Sequence, residues 1–284
     1  MKIRNNLSPY QYAIAKYIPW FRLENPVFLL GCGRSGTTII GKSISLHADV
    51  AYLNEPRWLW FDCYPSTDIW TQDSIGAEGQ MVLTELDVDN TRSRKLKALL
   101  DYERRKMHAK VLVEKTPVNN FRLPFIRAIF PQARYICIFR NGLEVAHSIE
   151  KIASSGHWFG YDAYKWKQIA DTAAKLGLYP DLEDFPRNDF ERGLLEWRIS
   201  NQYLLDFLNG MPNDQYINLT YSQFVEEPVE VISKVFTFLG LTNNDKITQF
   251  LIRNISRMTK KYDSEYISER YAEIGGVMLC QIGR

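Results

Sequence analysis

A short apolar run, Val27-Phe28-Leu29-Leu30, gives way to Gly31-Cys32-Gly33-Arg34-Ser35-Gly36-Thr37-Thr38 and then to a helical pattern. Strand, glycine-rich turn and helix in that order form the unit from which parallel α/β sheets are wound. The turn aims backbone N–H groups and a helix N-terminus at an anion. The spacing of Gly31 and Gly36 is that of the nucleotide-hydrolysing loop G-x-x-x-x-G-K-[ST], but Thr37 stands where the lysine belongs, and a different cation, Arg34, sits inside the loop. The loop keeps its anion-binding backbone and lacks the group that grips a triphosphate. It therefore predicts a phosphate-bearing ligand other than ATP or GTP.

Apolar strand-like runs alternate with helical patterns along the rest of the chain, which predicts a single α/β domain over 1–284 with a central parallel sheet flanked by helices. Strands are expected over 27–31, 50–53, 110–115, 134–139 and 215–219, and helices over 37–47, 91–108, 121–130, 142–152, 189–209, 229–239 and 245–255. Residues 1–24 read as an N-terminal helical extension; 58–90 and 154–187 are aromatic-rich without a clean period, and are expected either to wall an acceptor site or to serve as ordinary cover packing. With 45% hydrophobic and 24% charged residues the chain is of globular composition, and a net charge of +2 gives no field that would draw nucleic acid, so any anion site must be local. The cysteines at 32, 63, 137 and 280 show no C-x-x-C pair, so neither a disulfide framework nor a metal site is expected. No run reaches the roughly 18 apolar residues of a membrane span, and no signal core is visible, which predicts a cytoplasmic protein. The aromatic and basic stretch 10–22 reads either as a peripheral membrane contact or as a helix packed on the domain and ended by Pro19.

Ligands of open α/β sheets collect at the carboxyl ends of strands, and three further strand ends carry reactive groups. Lys115 leaves the run Val111-Leu112-Val113 just before Thr116-Pro117, either as a solvated strand end or as the ammonium the loop lacks. Arg140 ends the run Tyr135–Phe139, where a charge without a partner is costly; its planar fork suits a phosphate, and a salt bridge is the alternative. Ser148 lies two turns along the next helix, on hand for the same anion. After the loop helix comes Tyr52-Leu53-Asn54-Glu55-Pro56-Arg57-Trp58, where Glu55 is placed as a proton acceptor or as an exposed turn carboxylate; His47 is a rival base, though its context favours a cap.

Together these segments resemble, over most of the chain, the sulfotransferases that use 3′-phosphoadenosine 5′-phosphosulfate (PAPS). In that family the loop R-S-G-T-T holds the 5′-phosphosulfate, and Arg34 to Thr38 match it, which with Gly33 marks Gly33, Arg34, Ser35, Gly36, Thr37 and Thr38 as donor-binding. Arg140 and Ser148 have the spacing of the pair that holds the 3′-phosphate. Lys115-Thr116-Pro117 is similar to the K-[DT]-P element of tyrosylprotein sulfotransferases. The segment 217–224, with Pro228 and Phe238-Leu239-Gly240-Leu241, resembles the family's Y-E-x-L…P…FLGL region and brings Tyr221 to the donor, although Ser222 replaces the glutamate. The basic residue some members carry a turn after the serine has Lys151 as its nearest counterpart.

The resemblance implies a P-loop-like sulfotransferase fold and sulfuryl transfer without a metal. It makes Glu55 the base, with Arg34 and Lys115 as stabilising cations and Arg57 and Trp58 on the acceptor side. Tyr52 to Trp58 is similar to the Y-L-x-E-P-x-W segment of carbohydrate sulfotransferases, pointing to a carbohydrate or glycolipid hydroxyl. E-x-R at Glu55 and Arg57 also resembles the tyrosine-modifying enzymes, so a tyrosine or small phenol is the alternative acceptor. A P-loop kinase and a non-catalytic nucleotide-binding protein are the competing classes. Trp197 matches a family helix near the adenine, or serves as core.

Overall fold

The computed structural model describes residues 22–72, 76, 78–156, 158–243, 245–255 and 268–281. Five strands form one sheet in the order β2-β3-β1-β4-β5, every neighbouring pair parallel. They are β1 (Val27–Leu30), β2 (Val50–Asn54), β3 (Val111–Lys115), β4 (Arg134–Phe139) and β5 (Tyr216–Thr220). β1 sits in the middle, so the glycine-rich turn that follows it opens between the ends of β3 and β4.

The period of two along each strand sorts its side chains onto two cores. Val27 and Leu29 of β1, with Ile136 and Ile138 of β4, join helices α1 (Thr37–Ile44), α8 (Tyr221–Glu226), α9 (Pro228–Leu239) and α10 (Asp245–Asn254) on one face. Phe28 and Leu30, with Tyr135, Cys137 and Phe139, meet helices α2 (Arg57–Cys63), α3 (Asn90–Lys106) and α4 (Leu123–Ile129) on the other. A third apolar cluster gathers α5 (Gly142–Ala153), α6 (Tyr164–Lys175), α7 (Asp189–Leu208), α11 (Glu269–Gly275) and α12 (Met278–Gln281) around Cys32, Val118 and Phe121, near the loops that follow β1 and β3.

The single α/β domain and its strands agree with expectation to within a residue or so at their ends. Within the two aperiodic segments, 58–90 read as irregular structure or short helices and 154–187 as weakly periodic, two stretches are helical. Arg57–Cys63 is one, and Tyr164–Lys175 is the other, burying Trp166, Ile169 and Ala173 on one stripe. The helix expected from 121 begins instead as a 3-10 turn over Pro117–Arg122 before α4. A short helix, Tyr221–Glu226, also follows β5 directly, started by a capping box in which Thr220 and Gln223 bond each other's backbone. The N-terminal extension over 1–24 and the membrane-contact stretch 10–22 fall almost wholly outside the described residues. Among the described residues no helix is long and apolar enough to cross a membrane.

Candidate active site

The turn after β1 is shaped by glycine where no side chain fits. Gly36 has φ 94°, and a Cβ there would lie 2.3 Å from the Tyr221 ring; a Cβ on Gly33 would lie 2.6 Å from Trp158. Gly36 is the N-cap of α1 and offers no side chain to the helix N-terminus, which leaves its N–H groups to a ligand. Arg34 is itself left-handed, with φ 72°. The Ser35 hydroxyl is buried within this loop without a hydrogen-bond partner. An orphaned buried donor beside a helix N-terminus is the feature a bound phosphate oxygen would satisfy. At the start of the loop, Gly31 N–H donates to Asn120 Oδ1 at 3.1 Å.

Cations stand on either side of this loop. On the β3 side, the Lys115 side chain is 1% exposed, and its Nζ donates to Thr38 Oγ1 at 3.1 Å and to Glu55 Oε1 at 2.7 Å. Glu55 Oε2 accepts from Arg57 Nη2 at 2.7 Å. Burial by itself would raise the Glu55 carboxyl; Lys115 and then Arg57 outweigh it and hold the carboxyl below the usual range. Burial also lowers the Lys115 ammonium, with Glu55 opposing. Glu55 adopts φ 52°, and its N–H donates to the Lys115 carbonyl at 2.7 Å, which ties the carboxylate to the neighbouring strand end.

On the β4 side, Arg140 Nη1 donates to the Arg34 carbonyl at 3.0 Å, its Nε pairs with Glu144 Oε2 at 2.8 Å, and its guanidinium lies 4.2 Å from the centre of the Tyr221 ring. Arg34 Nε donates to Ser148 Oγ at 3.0 Å. Burial and then the like charge of Arg140 lower the Arg34 guanidinium, a repulsion that an anion held between the two would relieve. The Arg34 side chain, expected to serve the 5′-phosphosulfate with Lys115, is hydrogen-bonded to Ser148 on the β4 side, while Glu55 acts on it through space.

A cavity of about 80 Å³ opens beside Glu55, lined by Gly33, Arg57, Trp70, Trp158 and Lys165 among others. Trp70 comes from the segment 58–90, and Trp158 and Lys165 from 154–187, so both aromatic-rich segments reach it. Lys165 Nζ donates to Glu196 Oε1 at 2.6 Å, and Trp158 Nε1 donates to Glu196 Oε2 at 2.9 Å, a buried charge pair that holds the Trp158 ring against Gly33 of the glycine-rich loop. Trp58 stands apart, half-buried against the core on α2, where it lines a neighbouring cleft with Arg57.

Sequence reasoning missed several supports. Asn120 and the Lys165–Glu196 pair are far from their partners in sequence, and Glu114 is joined to Trp60 of α2 as well as to nearby Thr116 and Asn119. Glu114 is fully buried, accepts from Trp60, Thr116 and Asn119, and is pushed by burial up to about 7. Trp197 carries no face to an adenine: it is 0% exposed, and its Nε1 donates to the Arg140 carbonyl at 3.0 Å, placing it behind the arginine as core. His47 lies at the far end of α1, its Nδ1 accepting from Asp49 N–H and its Nε2 within 3.1 Å of the Thr242 carbonyl, remote from the loop's mouth. Lys151 is exposed in the last turn of α5. Cys32, Cys63 and Cys137 are buried free thiols, and no group of three or more His, Cys, Asp or Glu able to hold a metal occurs among the described residues.

Comparison with known proteins points the same way. The chain is 20% identical over 253 residues to protein-tyrosine sulfotransferase A of Caenorhabditis elegans, an alignment covering 85% of this chain and 57% of that protein's length. In fold it is similar to the sulfotransferase domain of the Synechococcus PCC 7002 olefin synthase (TM-score 0.52, 18% identity, 92% of this chain and 83% of that one). It is also similar to sulfotransferase STF9 of Mycobacterium avium (TM-score 0.51, 14% identity, 95% and 76%). The family model described as "Sulfotransferase family" matches residues 26–245, which spans β1, the phosphate loop and every strand end described above, and the chain belongs to that family.

Proposed function

We propose that this protein is an enzyme that transfers the sulfuryl group of PAPS in line to a hydroxyl of a carbohydrate or glycolipid acceptor. The observation that carries this reading is the presence of two separate cation groups, one on each side of the loop that follows β1. Lys115 with Thr38 stands on one side and Arg34 with Arg140 and Ser148 on the other. A donor with a phosphosulfate at one end and a 3′-phosphate at the other matches that division, and ATP, which has no second anionic end, does not. The unpartnered Ser35 hydroxyl and the open N-terminus of α1 fit the phosphosulfate end.

In this reading the backbone of Gly33 to Thr38, with the Ser35, Thr37 and Thr38 hydroxyls, cradles the 5′ group, and Arg140, Ser148, Tyr221 and the Arg34 side chain hold the 3′-phosphate. Glu55 takes the proton of the acceptor hydroxyl as its oxygen attacks sulfur. The Lys115 ammonium stabilises the charge that collects on the departing phosphate. While Lys115 and Arg57 both bind Glu55, the carboxylate is a weak base. When Lys115 turns to the donor, Oε1 is freed and the carboxyl moves back up, so base strength follows donor occupancy. Arg57 keeps Glu55 oriented, and the segments 58–90 and 154–187 wall the acceptor. The similarity to a tyrosine sulfotransferase, together with Glu55-x-Arg57, supports a tyrosyl hydroxyl as the second reading of the acceptor.

The test is a mass-spectrometric screen for an added sulfate on sugars, glycolipids and tyrosine peptides in the presence of PAPS. It is run alongside calorimetric titration with 3′-phosphoadenosine 5′-phosphate. Binding of that nucleotide and a sulfated glycan are expected. Binding of ATP with magnesium and no binding of the bisphosphate would overturn the reading.

A further inference from the structure

A second cleft, of about 350 Å³, is lined by Trp58, Trp60, Phe61, Asp68 and Trp70 among others. It shares Arg57 and Trp70 with the cavity at Glu55, so these two side chains, stacked with the guanidinium 3.9 Å from the ring centre, form the wall between them. The two compartments differ in chemistry. The Glu55 cavity sets Glu55, Arg57, Lys165 and Glu196 among its aromatic walls, whereas the surface of the second cleft is mainly apolar, from four aromatic rings, although Arg122, Asp68 and three threonines also line it. Asp68 does not spoil that character, because its Oδ1 accepts from Trp70 N–H at 3.0 Å and its Oδ2 from the Thr71 hydroxyl. Phe61 is 39% exposed at this cleft, an aromatic ring left in water where a ligand would cover it. The Arg57 Nε, at the junction, is shielded from solvent and has no hydrogen-bond partner, while Nη2 of the same group holds Glu55. An orphaned donor between a polar and an apolar compartment is satisfied by a molecule that crosses from one to the other.

We propose that the cleft is the second half of the acceptor site and takes the apolar part of an amphiphilic acceptor. The occupant is an alkyl or lipid aglycone whose hydroxyl-bearing head lies at Glu55 and whose linking oxygen accepts from Arg57 Nε. This rests on the sulfuryl-transfer reading and narrows it: a free sugar fills only the charged compartment, whereas an alkyl glycoside fills both.

The test measures dissociation constants of methyl, hexyl and octyl β-glucosides below their micelle thresholds, by calorimetry on the full chain with 3′-phosphoadenosine 5′-phosphate present. Binding of that nucleotide alone is measured first. Each methylene buried should tighten binding by about fourfold, with at least about a tenfold gain from methyl to hexyl. Phe61→Ala should shrink the octyl-to-methyl ratio, and Leu86→Ser, at a surface leucine 89% exposed and outside both cavities, should leave that ratio as in the parent. A flat response to chain length, or a ratio untouched by Phe61→Ala, would overturn the proposal while nucleotide binding leaves the parent reading standing. A tyrosine peptide that binds where the alkyl glycosides do not would overturn it as well, making the cleft a peptide groove. Failure of the nucleotide to bind would remove both.

Discussion

Lys115→Met tests the centre of the site, because methionine keeps most of the lysine's length and removes only the charge. The Lys115 side chain is 1% exposed and that of Glu55 is 29% exposed, so the substitution strips a half-shielded carboxylate of its nearer cation and leaves Arg57 as its partner. Removing one member of a fully buried pair costs about 3–5 kcal/mol. Here Glu55 keeps a second cation and some solvent, and the ammonium's own burial, which lowers its pKa, is relieved. The expected loss at neutral pH is therefore smaller, about 1–3 kcal/mol.

The pH dependence gives the sharper reading. In the parent the folded-state Glu55 carboxyl lies below its unfolded value of roughly 4.3, so the pair's stabilisation is fully present above that value and is lost as the pH falls through the folded pKa. In Lys115→Met, burial, which is already the largest influence and acts upward, is opposed by Arg57 alone, and the carboxyl moves up. The stability gap between parent and variant is thus widest near neutrality and narrows as the pH falls through the variant's raised carboxyl pKa toward the parent's lowered one. Urea unfolding followed at pH 7 and at mildly acid pH measures that gap directly. A gap that stays constant or widens on acidification would refute the ion-pair account. Transfer activity should fall by about 10²–10³ if the ammonium also holds charge on the leaving group.

Glu55→Gln should leave bisphosphate binding within about twofold and lower transfer by about 10²–10⁴, since a base is lost and the donor's cradle is kept; a matching loss of nucleotide affinity would contradict that division. Arg140→Ala should weaken bisphosphate binding by roughly 10- to 100-fold, the scale of one charge-assisted contact, as read by calorimetry. Arg122 is buried, and its guanidinium donates to the carbonyls of Thr67, Gln80 and Met81, pinning the segment that carries Trp70. Arg122→Leu should therefore cost about 2–4 kcal/mol and speed proteolytic cleavage within 66–83; unchanged cleavage would show that the segment is held by other contacts.

Most of the sheet was readable because each strand is an apolar run closed by a turn, and β1 announces its loop. The helix Tyr164–Lys175 was obscured because Lys165 sits among its aromatics and breaks the apolar stripe. That lysine is buried only because Glu196, on α7, meets it there. Trp197 was ambiguous for a related reason: a tryptophan on a helix near a nucleotide site looks the same in sequence whether it faces a base or satisfies a strand-end carbonyl. Its bond to the Arg140 carbonyl decides for the second.

The charged strand ends show why such alternatives cannot be separated one strand at a time. For Arg140 the structure shows the salt bridge, and that bridge leaves a phosphate ligand open. Its Nε pairs with Glu144 one helical turn on, while its Nη1 reaches back to the Arg34 carbonyl. The carboxylate therefore orients the guanidinium beside the glycine-rich loop without occupying all of it. For Lys115 the answer lies in the register between strands. β2 and β3 are parallel, with Asn54 opposite Lys115, so Glu55, one residue beyond Asn54, is carried to the end of the strand that bears the lysine. Its N–H takes the Lys115 carbonyl and its carboxylate takes the ammonium. The site is thus a product of aligning the carboxyl ends of neighbouring parallel strands. A lone strand-end charge signals a ligand when the residue just past the end of the paired strand can both neutralise it in the free protein and release it when the ligand arrives.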